Sequence, residues 1–153
     1  DNQNAKGIKW LKESRDNLIV IDNHNFSSII NWEKEVEKHL NNLDIGLICL
    51  AGFMKILSKK FVKRWKKKII NIHPSLLPAF KGLNAQKQAL NYGVKYTGCT
   101  IHYVNEELDS GEIIDQSIVS VSKNDTVSSL TKKILIEEHK IYINALRNII
   151  KRN

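Results

Sequence analysis

Asn71 and His73 stand two residues apart at the end of an apolar run, Ile69, Ile70 and Ile72, and Asp109 follows later in Leu108-Asp109-Ser110-Gly111. Successive side chains of a strand point to opposite faces, so this i, i+2 pair shares one face at a strand's end, where α/β proteins build their sites. A carboxylate delivered by a separate Gly-containing turn could orient the imidazole or relay its proton. An isolated histidine beside an apolar strand is usually structural. Here, however, Pro74 and Pro78, the only two prolines of the chain, bracket the segment that follows. Proline fixes the chain direction and cannot continue a ladder, so a rigid, polar pocket edge is expected immediately beyond the strand. Rigidity of that kind is what preorganised catalytic donors need.

The elements that must carry these residues follow from periodicity. Lys6 to Ser14 has helical spacing, Leu18-Ile19-Val20-Ile21 reads as a short buried strand, and Ser28 or Asn31 can cap a helix reaching about Asn41. Ile45 to Leu50 is an unbroken apolar run, the mark of a strand covered on both faces. A Gly-containing turn, Ala51 to Leu57, leads to Ser58 as the cap of a Lys-rich helix. Lys68 to Ile72 is the next strand, and Asn84 to about Tyr92 a helix closed by Gly93. Thr100 to Val104 and Ile113 to Val121 are β-rich, and a long amphipathic helix runs from Asp125 or Thr126 toward Ile150. Alternation of strand and helix predicts a single α/β domain over residues 1–153 with a mainly parallel sheet, the two late strands mixing in an antiparallel segment.

With 153 residues, 42% of them apolar and 26% charged, the chain can bury a core and is not disordered. No apolar run spans a membrane, and the first residues lack a basic-then-apolar leader, which points to a cytoplasmic protein. Cys49 and Cys99 are expected to be buried free thiols. A net charge of +8 raises nucleic-acid binding, with Lys59 to Lys68 as the densest source. Phe61, Val62 and Trp65 interleave there at helical spacing, so a solvated lysine face over an inward apolar side is the simpler account.

Five stretches, in order and at consistent spacing, resemble the phosphoribosylglycinamide formyltransferase family of formyl-folate-dependent transferases. They are Ala51 to Ser58, Asn71 to Pro78, Gly82-Leu83, Gly98 to His102 and Glu107 to Gly111; Glu137-Glu138-His139 adds a sixth near the end. The resemblance implies a Rossmann-like formyltransferase fold and transfer of a formyl group from 10-formyltetrahydrofolate to the amino group of glycinamide ribonucleotide. No metal and no nucleic acid are expected, and the protein would be a monomer or homodimer. It assigns Asn71, His73 and Asp109 as the catalytic trio. Met54, Lys55, Ile56 and Leu57, with Val104, Asn105, Glu106, Glu107 and Leu108, would line the folate slot, and Pro74 and Glu138 would meet the nucleotide substrate. Lys55 stands where the family often has Arg and could still meet the folate glutamate's charge, though without a planar fork. Without the family, Met54, Ile56 and Leu57 read as core, and Glu138 as a solvated helix carboxylate. His102 is expected to support the site structurally, and the Leu77–Pro78 bond, cis in the family, to be cis here.

Departures from the pattern are equally specific. Where many relatives carry Lys-Tyr-Pro-Gly, this chain has Ala79-Phe80-Lys81-Gly82, and Asn84 and Gln86 replace two common histidines. The family's opening strand, Gly-rich turn and helix, which hold the nucleotide phosphate, have no counterpart, so a fold lacking the first strand-helix-strand, with exposed edges and apolar surface, is expected. The rivals are formyltetrahydrofolate deformylase, which gives the formyl group to water, and a non-catalytic basic nucleic-acid-binding fragment. Pro74 and the Ser-Leu-Leu-Pro run favour transfer over deformylation.

Overall fold

Ile8, Leu11 and residues 18–152 are described by the computed structural model. The helix expected from Lys6 to Ser14 falls outside the described residues except at Ile8 and Leu11, both helical. The chain divides into two units that part after Gly46. In the first, α1 (Ile29–Asn42) begins where Ser28 Oγ accepts from the Asn31 N–H at 3.2 Å, and Trp32 and Glu33 are buried. Trp32 Nε1 donates to the Ile21 carbonyl at 2.8 Å. The strand expected at Leu18 to Ile21 does not form, and Ile19 and Val20 are exposed. Branched apolar residues favour extended backbone, but a strand exists only where a ladder partner is present, and none pairs with this segment among the described residues.

The second unit carries the sheet, in the order β1 (Ile48–Leu50), β2 (Ile69–His73), β3 (Tyr96–Tyr103), β4 (Ile113–Ser120). Between them run α2 (Lys59–Arg64), capped by Ser58 Oγ on the Phe61 N–H at 3.2 Å, and α3 (Ala85–Tyr92), closed by Gly93 at φ 76°. The long helix α4 (Val127–Arg152) follows β4. β1 pairs parallel to β2, whereas β2–β3 and β3–β4 are antiparallel. The α/β class holds, but among the described strands the sheet is mixed rather than mainly parallel. A helix lies between β2 and β3 as it would in a parallel crossover, yet β3 returns against β2. The strand expected from Ile45 is only three residues long. Among the described strands it lies at the sheet edge with one partner, and Cys49 is exposed, contrary to expectation, while Cys99 in β3 is buried.

Register sorts the sheet's faces. Ile70, Ile72, Cys99 and Ile101 share one face with Val119, and Leu130, Ile134, Ile141 and Ala145 of α4 pack on it. Phe61, Val62 and Trp65 are buried under α2, so the lysines there form the outer side as expected. Lys67 pairs with Glu112 at 2.8 Å and Lys63 with Glu106 at 3.8 Å. No helix among the described residues is long and apolar enough to cross a membrane.

Candidate active site

The sheet face opposite that core is polar at its centre. Asn71 lies directly across from His102 and His73 from Thr100, so alternation brings four polar side chains of β2 and β3 together. His73, Thr100 and His102 are buried. The loop after His73 hangs from Thr100. Its Oγ1 accepts from the Leu77 N–H at 3.0 Å and from Gln116 Nε2 at 2.9 Å, and donates to the Ser75 carbonyl at 2.7 Å. The Leu77–Pro78 peptide is cis, as expected.

Asp109 arrives from the turn after β3 at φ 47°, a left-handed conformation that costs a non-glycine residue about 1–2 kcal/mol. Gly111 makes the turn possible, because a Cβ there would lie 1.6 Å from the Tyr103 carbonyl oxygen. The buried carboxylate accepts from the Gly82 N–H at 2.8 Å, and the same oxygen faces His73 Nδ1 at 3.3 Å. On its other side, His73 Nε2 meets the Phe80 carbonyl at 2.9 Å. Both ring nitrogens of His73 therefore face acceptors, which fixes the orientation of the ring.

His102 is held differently. Burial, the dominant cause, lowers its pKa, and His73 and Lys81 act in the same direction against the opposing pull of the Tyr103 carbonyl and Asp109. A neutral ring follows, with Nδ1–H donating to the Tyr103 carbonyl at 3.0 Å. Its Nε2 is then an acceptor for Asn71 Nδ2 at 3.5 Å, which turns one amide hydrogen of Asn71 toward His102 and leaves the other unused by that contact. The 3.7 Å approach of Nε2 to Asp109 joins two acceptors and is no hydrogen bond.

A cavity of about 410 Å³ opens beside α2, lined by Val62, Lys63, Lys66 and Lys67 and by Tyr103 through Glu106, Gly111 and Glu112. Of the expected folate slot it contains Val104, Asn105 and Glu106, but not Met54, Lys55, Ile56, Leu57, Glu107 or Leu108. Met54 and Ile56 are 75% and 76% exposed, which excludes the core role their apolar character suggests. Pro74 follows His73 directly, at the start of the loop held by Thr100. Glu138 is half-buried on α4, where burial raises its carboxyl pKa, and no hydrogen bond or ion pair joins it to the Asn71–His73–Asp109 group. Sequence reasoning missed Thr100 and Gln116, although strand alternation from His102 puts Thr100 on the site's face. It also missed the Phe80 carbonyl and Gly82 N–H, which carry no side-chain signal.

Residues 1–146 match the formyl transferase family. The trifunctional purine biosynthetic protein adenosine-3 of Gallus gallus is 46% identical over 147 residues, 94% of this chain and 15% of that protein. The phosphoribosylglycinamide formyltransferase of Haemophilus influenzae is 38% identical over 138 residues, 90% of this chain and 65% of that one. The crystal structure of phosphoribosylglycinamide formyltransferase from Anaplasma phagocytophilum superposes with a TM-score of 0.91 at 44% identity, covering 99% of this chain and 72% of that chain. The Bacillus halodurans enzyme gives 0.93 at 39% identity, covering 98% and 77%. The chain thus spans about two thirds of the single-function relative and a small part of the trifunctional one.

Proposed function

This chain belongs to the formyl transferase family, and from that premise we propose that it moves a formyl group from 10-formyltetrahydrofolate to the amino group of glycinamide ribonucleotide, a step of purine synthesis. Residues 1–153 are read as one partial formyltransferase domain, acting on small molecules in the cytoplasm. The observation that carries the reading is the convergence of Asn71, His73 and Asp109 on one polar, preorganised face.

The chemistry follows from the groups present. The substrate amine attacks the formyl carbon, a C–N bond forms, and the carbonyl oxygen becomes an oxyanion. The amide hydrogen of Asn71 that does not face His102 can stabilise that charge, and the Nε2 proton of His73 can do so once it turns from the Phe80 carbonyl to the substrate. A preorganised donor of this type is worth about 2.7–4 kcal/mol of barrier. Collapse restores the carbonyl and breaks the bond to the folate nitrogen, which takes a proton while the former amine loses one. Asp109, 3.3 Å from His73 Nδ1, holds the imidazole for that transfer and stabilises its protonated form. The cavity's apolar Val62 and Val104 suit a flat heterocycle. Its lysines suit the anionic tail of a folate.

The test is tetrahydrofolate release from 10-formyltetrahydrofolate with and without glycinamide ribonucleotide. Release that depends on the nucleotide, and falls about 10²- to 10⁴-fold in kcat in Asp109→Asn, supports the assignment. Equal release without the amine identifies a deformylase. No release under either condition refutes the reading for this chain.

A further inference from the structure

One polar contact at the site involves neither of the groups that face the reacting atoms. Lys81 Nζ donates to Ser110 Oγ, whose own hydrogen goes to the Leu108 carbonyl at 2.9 Å. Lys81 sits between the two main-chain groups that grip the site: the Phe80 carbonyl on His73 and the Gly82 N–H on Asp109. Ser110 is the neighbour of Asp109. Both strands of this junction are bent, with Phe80 at φ 53°, Gly82 at φ 78° and Asp109 at φ 47°. For the non-glycine residues Phe80 and Asp109 such conformations persist only where surrounding contacts hold them. From beneath, Gln88 of α3 donates to the Lys81 carbonyl at 3.1 Å and to that of Leu83 at 2.9 Å, so the loop is anchored to a helix while its tip reaches across.

We infer that Lys81 is a positioning residue, clipping the 108–111 turn to the 79–82 loop through Ser110 so that the Asp109 carboxylate stays on His73. This rests on the reading of Asp109 and His73 as the reacting pair, and it turns on Lys81, a position at which the chain departs from its family's pattern. Among the described residues, the clip is the one hydrogen bond between these segments that does not use a reacting group. Lys81 is exposed, so its removal leaves the core untouched.

The test compares Lys81→Met, Ser110→Ala, their double variant and Lys81→Arg in otherwise unchanged protein. Two readouts need no activity: hydrogen exchange of the Gly82 amide, and the ¹⁵N resonance of His73 Nδ1. Each single variant is expected to speed Gly82 exchange about 3- to 10-fold, the factor carried by one hydrogen bond. Each should also move the Nδ1 resonance toward its Asp109→Asn position, with amides of β3 and β4 unchanged. The double variant should do no more than either single one, and Lys81→Arg should restore the original signals. In formyl transfer, kcat is expected to fall by a similar factor with KM for both substrates held within about twofold. Unchanged Gly82 exchange and an unmoved Nδ1 resonance in Lys81→Met would overturn the inference, as would additive effects of the two substitutions. If the parent protein transfers no formyl group, the functional reading fails, and the exchange and resonance data still decide the clip.

Discussion

Replacing Thr100 by Val should destabilise this protein more than replacing it by Ser, although valine keeps the shape and serine does not. Thr100 is fully buried, and its hydroxyl makes three hydrogen bonds of 2.7–3.0 Å. Valine substitutes a methyl for that hydroxyl without opening a cavity. It leaves the Leu77 N–H without an acceptor and the Ser75 carbonyl without its donor, whereas Gln116 Nε2 keeps the Leu77 carbonyl at 3.0 Å. Each stranded buried group costs about 1–3 kcal/mol. Some relaxation of the loop brings the sum to about 2–4 kcal/mol, a large share of the ~5–15 kcal/mol that holds a domain folded. Serine keeps all three bonds and loses one methyl, for about 1 kcal/mol.

The assay is urea unfolding of the two variants beside the parent, followed by fluorescence. With a slope of roughly 2 kcal/mol per molar urea, Thr100→Val should lower the midpoint by about 1–2 M and Thr100→Ser by about half a molar. Because the loop starts at His73, Thr100→Val should also lower kcat, and Thr100→Ser should leave it near the parent value. A valine variant as stable as the serine one would show that the hydroxyl does not hold the 74–79 segment, and the account of a suspended loop would fall.

Two further outcomes are expected. Lys133 foremost, with the Ser122 N–H and the Ser129 hydroxyl, depresses the pKa of Asp125 to about 2, below its unfolded value of about 3.9. Its contribution is therefore complete above about pH 4 and lost as pH falls toward 2. The stability gap between the parent and Asp125→Asn should close across that window, and a gap that stays constant between pH 5 and pH 2.5 would refute the assignment. Cys49 is exposed and Cys99 is buried, its pKa pushed up to about 12 by burial first and by the nearby Glu138 and Glu137 second. Titration with an aromatic disulfide should find one reactive thiol in the native protein, faster at high pH because partial desolvation of its sulfur raises the otherwise accessible Cys49 thiol, and two in denaturant. Two native thiols, or none, would contradict the burial of these strands.

The site was more legible than the sheet that carries it, for a physical reason. Asn71 and His73 lie on one strand, where a period of two dictates a shared face whatever the partner strand does. The caps at Ser28, Ser58 and Gly93 were legible because they act within a few residues of themselves. Strand direction is different. The segment from Pro74 to Lys95 is long enough and helical enough to serve a parallel crossover, and only the tertiary pairing of Asn71 with His102 makes it antiparallel. Leu18 to Ile21 failed in the same way, since its residues favour extended backbone but cannot specify a neighbour. Met54 and Ile56 look like core to any hydropathy scale, and their exposure comes from where the Ala51–Leu57 turn lies.

Main-chain groups explain both the blind spot and the tolerance of the site. His73 is held by the Phe80 carbonyl and Asp109 by the Gly82 N–H, and any residue supplies such a carbonyl while any but proline supplies such an N–H. No side-chain pattern announces them. By the same token, a loop reading Ala79-Phe80-Lys81-Gly82 in place of the family's usual Lys-Tyr-Pro-Gly keeps both grips, because neither depends on the side chains that changed. What the substitution alters is the side chain between them. A proline at position 81 has no side-chain donor for Ser110, whereas the lysine does. The departure from the family's pattern in this loop therefore leaves the site's framework in place and adds a contact to it.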